Sequence, residues 1–179
     1  DLVSRVYVEA TLPKLVANSS SSDSAAVASP LDNGFSWIHN VGNFLIQEAD
    51  VEIGGQRIDR HYGEWLHIWN ELSGSHSHQA GYNRMIGNVP ELQSAYQFDS
   101  NGDLETRTQL PSKKLLVPLQ FWFCRSPGLA LPLIALQYHE VKINITFESL
   151  DKLIRVRQTT DDSEASITEV IADSDNDDS

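Results

Sequence analysis

Residues 49–73 constrain the fold of this chain more than any other segment, because the spacing of their apolar residues changes within one short stretch. Val51 and Ile53 alternate with polar neighbours, which is the pattern of a half-buried strand. Gly54 and Gly55 follow, and a two-residue hairpin turn favours glycine because both of its positions need a positive φ. We therefore predict a β-hairpin whose second strand begins directly after the two glycines.

The spacing then becomes helical. Apolar side chains recur at intervals of three and four residues, in the order Trp65, Ile68, Trp69 and Leu72. They predict an apolar stripe along one short helix, which Gly74 ends. We expect the Trp65/Trp69 face of this helix to be buried against the rest of the domain. A hairpin followed by such a helix builds structure and carries no catalytic group.

Further strands are predicted on both sides of this segment. They cover residues 2–10, most of 35–53, 115–123, part of 133–150, and 153–157. Residues 115–123 are apolar on both faces, which predicts a deep position, although Pro118 requires an edge or a bulge because proline donates no backbone hydrogen bond. The clearest alternation places one set of side chains in the core: Val141, Ile143, Ile145 and Phe147.

Short strands, turn signals and one interposed helix favour an all-β, antiparallel sandwich with long loops. Residues 17–33 are rich in Ser and Ala and predict a flexible inserted loop, and residues 74–112 predict one long excursion with a turn at 101–103. The net charge is −12, and residues 158–179 hold −8 of it, so the remaining chain carries only −4. We expect 158–179 to be a mobile acidic tail, and neither part offers the basic patch that nucleic-acid binding requires.

Two long blocks resemble one protein family. The first block comprises residues 52–56, 58–59, 62–65 and 69–72, and the second comprises 117–119, 121–124, 127–139 and 140–143. Both are similar to the double jelly-roll major capsid proteins of nucleocytoplasmic large DNA viruses, of the phycodnavirus and iridovirus type, and residues 1–8 resemble an early strand of that fold. The motif positions are Gly54, Gly55, Tyr62, Gly63, Trp65, Trp69, Pro118, Trp122, Pro127, Gly128, Pro132 and Tyr138.

The resemblance implies a specific architecture. Residues 1–157 would form most of the first jelly roll, an antiparallel β-sandwich that lacks its N-terminal strand, and 158–179 would be a tail or a linker toward a second jelly roll. It implies a homotrimer of near-hexagonal outline that contacts neighbouring capsomers and minor capsid proteins in an icosahedral virion shell assembled in the host cytoplasm. It implies no enzymatic activity, no cofactor, no direct nucleic-acid contact and no membrane insertion. The isolated excerpt would have an open edge near residues 2–10 and would self-associate.

Candidate chemical sites are weak in this sequence. His76 and His78 could present two imidazoles to a metal, but zinc sites usually need three or four ligands. Asp173, Asp175 and Asp177 imitate the start of a calcium loop without its glycine or its final glutamate. We expect no metal site, and the known catalytic motifs are missing from the sequence. The pairs Glu52/Glu64 and Asp50/Asp59 are expected to serve in surface ion pairing.

The remaining polar candidates have ordinary structural interpretations. His61 and His67 flank the helix start without sharing a face, and His139 is expected to be structural. Cys124 cannot form an internal disulfide because it is the only cysteine, and we expect it to be a small buried residue on an aromatic strand. Two glycosylation triplets begin at Asn18 and Asn144, and Asn144 is expected to face outward.

The alternative function is a jelly-roll carbohydrate-binding or receptor-attachment module. Such a module would use exposed aromatic side chains to stack on sugars, and the candidates are Tyr82, Tyr96 and Trp37. A cupin-like enzyme is a third possibility, but it needs a His/Glu metal set on its strands, and the sequence shows none.

Overall fold

The structure is a computed structural model that describes residues 1–17, 34–107, 109–156 and 170–172. Its strands are β1 Leu2–Val3, β2 Tyr7–Leu12, β3 Leu15–Ala17, β4 Phe35–Trp37, β5 Ile46–Ile53, β6 Gln56–Tyr62, β7 Tyr96–Phe98, β8 Leu104–Thr106, β9 Gln109–Leu110, β10 Lys113–Pro118, β11 Leu131–Pro132, β12 Val141–Phe147, β13 Ile154–Val156 and β14 Val170–Ala172. Its helices are α1 Val41–Phe44, α2 Gly63–Ser73, α3 Gln79–Met85, α4 Pro90–Gln93, α5 Trp122–Arg125 and α6 Leu150–Leu153. Single 3₁₀ turns cover His76–His78, Pro127–Leu129 and Leu133–Leu136.

The predicted hairpin is confirmed. Strands β5 and β6 pair antiparallel with Ile53 opposite Gln56, and the intervening Gly54 and Gly55 have φ values of 60° and 82°. Strand β12 pairs antiparallel with the other edge of β5, which gives a three-stranded sheet in the order β12-β5-β6. The ladder shifts register between Val51 and Glu52, which is the signature of a β-bulge.

A second layer is formed by β2 and β10, which pair antiparallel from Tyr7 opposite Pro118 to Leu12 opposite Lys113. Side chains of the two layers meet in one buried cluster, composed of Val8, Ile46, Ala49, Val51, Leu66, Val117, Leu119, Phe121, Phe123 and Leu131. A neighbouring cluster contains Leu12, Leu15, Phe35, Trp37, Val41, Leu92, Leu110, Leu115 and Leu153. Strands β2 and β10 contribute to both clusters, so they connect the two parts of the core.

Two predicted strands are interrupted by helices. Within 35–53, α1 separates β4 from β5, and Asn40 adopts a left-handed φ of 55° just before it. Within 115–123, β10 ends at Pro118, and the next amide, that of Leu119, still donates to Val6 O in the same register. The chain then enters α5, so Cys124 lies half-buried on a helix and not on a strand. The prediction that residues 115–123 are buried on both faces is also wrong at Leu116, which is exposed.

The N-terminal strand is divided in two. Leu2 and Val3 pair with Pro132 and Leu131, and Tyr7–Leu12 form a separate strand. The expected alternation is correct at Val8 and Glu9, since the former is buried and the latter exposed. One edge of Tyr7–Leu12 is paired with β10 along its whole length.

The excursion over residues 74–112 contains more secondary structure than predicted. It holds α3, α4 and the β7–β8 hairpin, and the predicted turn at its tip has Gly102 at φ 88° with the Asp99 carboxylate accepting the amides of Asn101 and Asp103. In the predicted tail, Val170–Ala172 pair antiparallel with Leu15–Ala17. The predictions on residues 18–33, 158–169 and 173–179, which include Asn18 and the aspartates from Asp173, lie outside the described residues.

Candidate assembly surface

The apolar stripe of α2 is mostly uncovered. The helix contacts the core through Gly63 and Leu66, which are buried, whereas Ile68 is 47% exposed and Leu72 is 80% exposed. Trp65 and Trp69 are half-buried. The expectation that the Trp65/Trp69 face packs into the core is therefore wrong. At about 100° per residue, the stripe lies on nearly the opposite side of the helix from the buried row.

The reason is that the core side of α2 carries only one buried apolar side chain, that of Leu66, beside a glycine and polar side chains that have partners. A Cβ on Gly63 would lie 2.4 Å from Asn43 O and 2.6 Å from Ile46 O, so only glycine lets the backbones approach this closely. On the same side, His67 Nδ1 lies 3.3 Å from Asn40 Nδ2. Periodicity identified the apolar stripe, but it could not reveal a buried face that has Leu66 as its one apolar side chain and otherwise relies on a glycine and on polar contacts.

The two sequence blocks meet at this stripe. The rings of Trp65 and Trp69 lie 5.7 Å apart, and the Arg125 guanidinium lies 4.6 Å from the Trp69 ring. Helix α5 is held in place because the Trp122 amide donates to Asp59 Oδ2 over 3.3 Å. A cation over a Trp ring contributes about 0.5–1 kcal/mol at an exposed site. The first block thus supplies the aromatic stripe, and Arg125, which directly follows the 121–124 part of the second block, supplies the cation that covers part of it.

We expect Trp69→Ala to lower the free energy of unfolding by about 1–2 kcal/mol, which is less than the ~3–5 kcal/mol typical of a fully buried tryptophan. Because the Trp69 ring is half-buried, its removal eliminates fewer packing contacts than the removal of a core ring would, and the contact with Arg125 is among them. Urea denaturation of the variant measures this change. Leu72→Ala is the matched control and should leave the midpoint unchanged, because Leu72 is exposed. A loss above about 4 kcal/mol for Trp69→Ala would contradict the half-buried position.

A second apolar area lies on β12 and the segment before it. Of the predicted core row, Val141 and Ile145 are half-buried, but Ile143 is 37% exposed and Phe147 is 53% exposed. The prediction of a fully buried face is therefore wrong for Ile143 and Phe147. Tyr138 is almost fully exposed just before the strand.

The other motif positions shape connections. Tyr62 precedes α2, and its exposed ring lies 5.3 Å below the Arg60 guanidinium. Pro118 ends β10, Pro127 and Gly128 belong to a 3₁₀ turn, and Pro132 pairs with Leu2. These positions direct the chain between strands, and they do not converge on one pocket.

One functional feature was missed by the sequence reasoning, which is the burial of His61. Its ring lies 4.5 Å from the Phe121 ring, and neither ring nitrogen has a hydrogen-bond partner among the described residues. Burial lowers its pKa from 6.5 to about 4, opposed by the nearby Asp59 carboxylate and assisted by Arg125. The only signal in the sequence was its position in a strand two residues after Asp59, which does not distinguish a buried from an exposed ring.

Chemical sites do not assemble within the described residues. No group of three or more His, Cys, Asp or Glu side chains in this part of the chain is placed to hold a metal ion, and His76 and His78 are exposed in a 3₁₀ turn. The carboxylates of Asp50 and Asp59 face opposite sides of the sheet, because Asp59 is opposite Val51 in the ladder. Asp50 Oδ2 accepts a 2.9 Å bond from the exposed side chain of Asn144. His139 is exposed beside Gly54.

The remaining candidates are also structural. Trp37 is buried in the core, and Tyr82 is half-buried with its hydroxyl donating to Asn43 Oδ1 over 3.1 Å. Tyr96 is half-buried in the β7 strand. Burial raises the pKa of the Cys124 thiol, which makes it less reactive. No helix among the described residues is long and apolar enough to span a bilayer.

Comparisons with known proteins agree with these observations. A family model described as "Major capsid protein N-terminus" matches residues 1–177. The chain is 42% identical to the major capsid protein of Phaeocystis pouchetii virus over 94% of its own length and 33% of the relative, and 46% identical to that of Pyramimonas orientalis virus over 82% and 31%. It therefore spans about a third of these curated relatives.

A solved structure is similar as well. The crystal structure of PBCV-1 VP54, fitted into a cryo-EM reconstruction of the virophage Sputnik, matches with a TM-score of 0.53 and 31% sequence identity, over 82% of this chain and 28% of that one. The predicted fold class, an all-β jelly-roll sandwich, is confirmed, with more short helices than the single one expected.

Proposed function

Because the chain belongs to the major capsid protein family, we propose that it is the N-terminal jelly-roll portion of a shell-building subunit of a large DNA virus. The observation that carries the proposal is the family match, which extends over residues 1–177. Relatives named major capsid proteins are 42% and 46% identical to it. The role is structural, and it requires stable strands and complementary surfaces but no catalytic group.

The exposed apolar surfaces support this role. A helix face with Ile68 and Leu72 in water and a strand with Phe147 half-exposed are unfavourable for an isolated domain. Both become favourable when another part of the subunit or a neighbouring subunit covers them, at about 25 cal/mol per Å² of apolar surface removed from water. The aromatic candidates for sugar binding offer no comparable support, because Trp37 lies in the core and Tyr82 and Tyr96 are half-buried.

In the finer form of the proposal, three subunits form a trimeric capsomer of near-hexagonal outline. Such capsomers would contact one another and minor capsid proteins in an icosahedral shell that assembles in the host cytoplasm. The supporting observation is the similarity to a protein fitted into a virus particle reconstruction.

Light scattering on two polypeptides tests the proposal. We expect the longer polypeptide that contains this chain to form a defined trimer, and the 179-residue chain alone to self-associate irregularly through its uncovered apolar surfaces. A monomer in both cases would contradict the capsomer.

Paired variants of the 179-residue chain assign the self-association to the stripe. We expect Ile68→Asp together with Leu72→Asp to reduce the self-association. Both side chains are exposed, and their replacement places negative charge on the apolar stripe of α2. Phe98→Asp is the matched control. Phe98 is 74% exposed but lies on β7, which is not part of the stripe, so this substitution should leave self-association unchanged.

A further inference from the structure

The tip of the β7–β8 hairpin carries an asparagine followed by a glycine, Asn101-Gly102. This pair is chemically reactive, because the backbone nitrogen of the second residue can attack the side-chain amide carbon of the first. Glycine has no Cβ to hinder the approach. Both residues are exposed, so the water that completes the reaction has access. The tip is therefore a candidate site of spontaneous deamidation.

The reaction proceeds in two steps. In the first step the Gly102 nitrogen loses its proton and bonds to Cγ of Asn101, while the Cγ–Nδ2 bond breaks and Nδ2 leaves as ammonia, taking up a proton. In the second step water opens the resulting cyclic imide at one of its two carbonyl carbons. The product is aspartate or isoaspartate, and in isoaspartate the main chain runs through the side-chain carbonyl. Water is the only co-reactant.

The turn holds both reacting groups in hydrogen bonds. The Gly102 amide donates to Asp99 O over 3.2 Å, so the proton that must be lost is engaged. The Asn101 side chain donates from Nδ2 to Asp99 Oδ2 over 3.1 Å, which holds it toward the residue two positions before it. A carboxylate that accepts an N–H of a side-chain amide also makes the amide carbon less electrophilic. Both bonds therefore oppose attack by the Gly102 nitrogen on Cγ of Asn101.

One side chain organises this turn. Asp99 Oδ1 accepts the backbone amides of Asn101 and Asp103, each over 2.8 Å, and the Asp99 amide donates to Asp103 O over 2.9 Å. The bonds to the carboxylate, led by the one from the Asp103 amide, hold the pKa of the Asp99 carboxyl below its ordinary value. The carboxylate therefore stays charged at neutral pH, and a charged acceptor forms stronger hydrogen bonds than a neutral one.

We propose that Asn101 is a deamidation site of this protein and that the Asp99 carboxylate keeps it unreacted while the turn is folded. Asp99 acts as a positioning residue, since it contributes no atom to either step. Deamidation adds a negative charge to a turn that already holds Asp99 and Asp103. The isoaspartate product also lengthens the main chain beside Gly102, which closes the turn with a φ of 88°. The modification therefore opens the hairpin tip, and this inference does not rest on the proposed function.

Peptide mapping by mass spectrometry tests the proposal. The 179-residue chain is incubated at mildly alkaline pH, either folded or in guanidinium chloride, and aspartate and isoaspartate at position 101 are measured over time. We expect Asn101 to react more slowly in the folded chain by at least roughly 10-fold, which corresponds to about 1.4 kcal/mol, the lower end of the range for a hydrogen bond to a charged group. Equal rates in the two states would overturn the proposed protection.

The sequence supplies a reference for the unfolded state. Asn33-Gly34 is the other Asn-Gly pair in the chain, and in guanidinium chloride it should react at a rate similar to that of Asn101-Gly102. If Asn33 reacted in the denaturant and Asn101 did not, Asn101 would not be a deamidation site and the proposal would be wrong.

Two substitutions assign the protection to the Asp99 side chain. Asp99→Asn keeps an oxygen for the backbone amides of Asn101 and Asp103 but replaces Oδ2 by a donor, so it removes the bond from Asn101 Nδ2. We expect it to raise the rate at Asn101 in the folded chain by roughly 10-fold. Asp103→Ala is the matched control, because it removes the same charge from the same turn and keeps the backbone groups that bond to Asp99. Its rate should equal that of the unchanged protein.

Each other outcome overturns the proposal. An unchanged rate for Asp99→Asn would mean that the carboxylate does not protect Asn101. An equal increase for Asp103→Ala would mean that the charge of the turn, and not the bond to Nδ2, controls the reaction. The denaturation midpoints of both variants should match that of the unchanged protein, because the turn lies at an exposed tip. A lower midpoint for Asp99→Asn that accounts for its faster reaction would attribute the effect to global unfolding and reject the local role.

Discussion

Acidification from pH 6.5 to pH 4 is expected to lower the free energy of unfolding by about 3 kcal/mol through His61 alone. The folded state holds the pKa of this buried ring at about 4, whereas the unfolded chain has the ordinary value of 6.5. Below pH 6.5 the His61 ring therefore binds a proton in the unfolded chain but not in the folded protein. Stability is fully present above pH 6.5 and falls until the folded protein also binds the proton near pH 4.

Urea denaturation at several pH values between 7 and 4 measures this loss. His61→Phe should remove the His61 contribution, because phenylalanine preserves a ring against Phe121 but cannot be protonated. His78→Gln is the matched control, since His78 is exposed and its replacement should leave the pH profile unchanged. Carboxylates titrate in the same range in all three proteins, so the difference between profiles isolates His61. Parallel profiles for His61→Phe and the unchanged protein would contradict the burial.

Gly63→Ala is expected to cost about 3 kcal/mol, at the upper end of the range for overpacked sites. The added Cβ would meet Asn43 O at 2.4 Å and Ile46 O at 2.6 Å, and both are backbone atoms that cannot rotate away. Alanine gains up to about 1 kcal/mol over glycine in a helix, which is too little to offset the clash. Chemical denaturation of the two proteins measures the difference.

Gly81→Ala provides the matched control on another helix. A Cβ at Gly81 meets no atom within 4 Å, and the residue lies inside α3. Only the helix preference remains, so the variant should be more stable by about 0.5–1 kcal/mol. If both variants changed stability in the same direction and by the same amount, the close approach of α2 to the backbone at Asn43 would be wrong.

The hairpin was predictable because its determinants are local. Gly54 and Gly55 specify the turn, and the alternation at Val51 and Ile53 specifies the strand, with no contribution from distant residues. The same holds for the turn at Gly102, where the Asp99 carboxylate binds amides two and four residues ahead. Local chemistry of this kind determines a structure wherever it occurs.

The predictions failed where the structure depends on contacts between residues that are far apart in the sequence. The stripe of Trp65 and Trp69 was correct as a pattern, but its direction depends on Gly63 approaching the backbone of Asn43, twenty residues earlier in the chain. The burial of His61 depends on Phe121, which lies sixty residues later. The half-exposed row at Ile143 and Phe147 likewise depends on how far the opposite layer extends. Periodicity identifies apolar faces, but it does not identify what covers them.

The pairing of β2 with β10 has a consequence for how this chain folds while a ribosome synthesises it. Ser112, whose hydroxyl donates to Leu12 O, follows Leu12 by 100 residues, whereas Ile53 and Gln56 pair across a two-residue turn. At about 5–20 residues per second, the β5–β6 hairpin can close almost as soon as it emerges, but Tyr7–Leu12 waits roughly 5–20 s for its partner. During that interval Val8 and Leu12 lack their partners on β10, so we expect their side chains to stay at least partly exposed until Pro118 has been added.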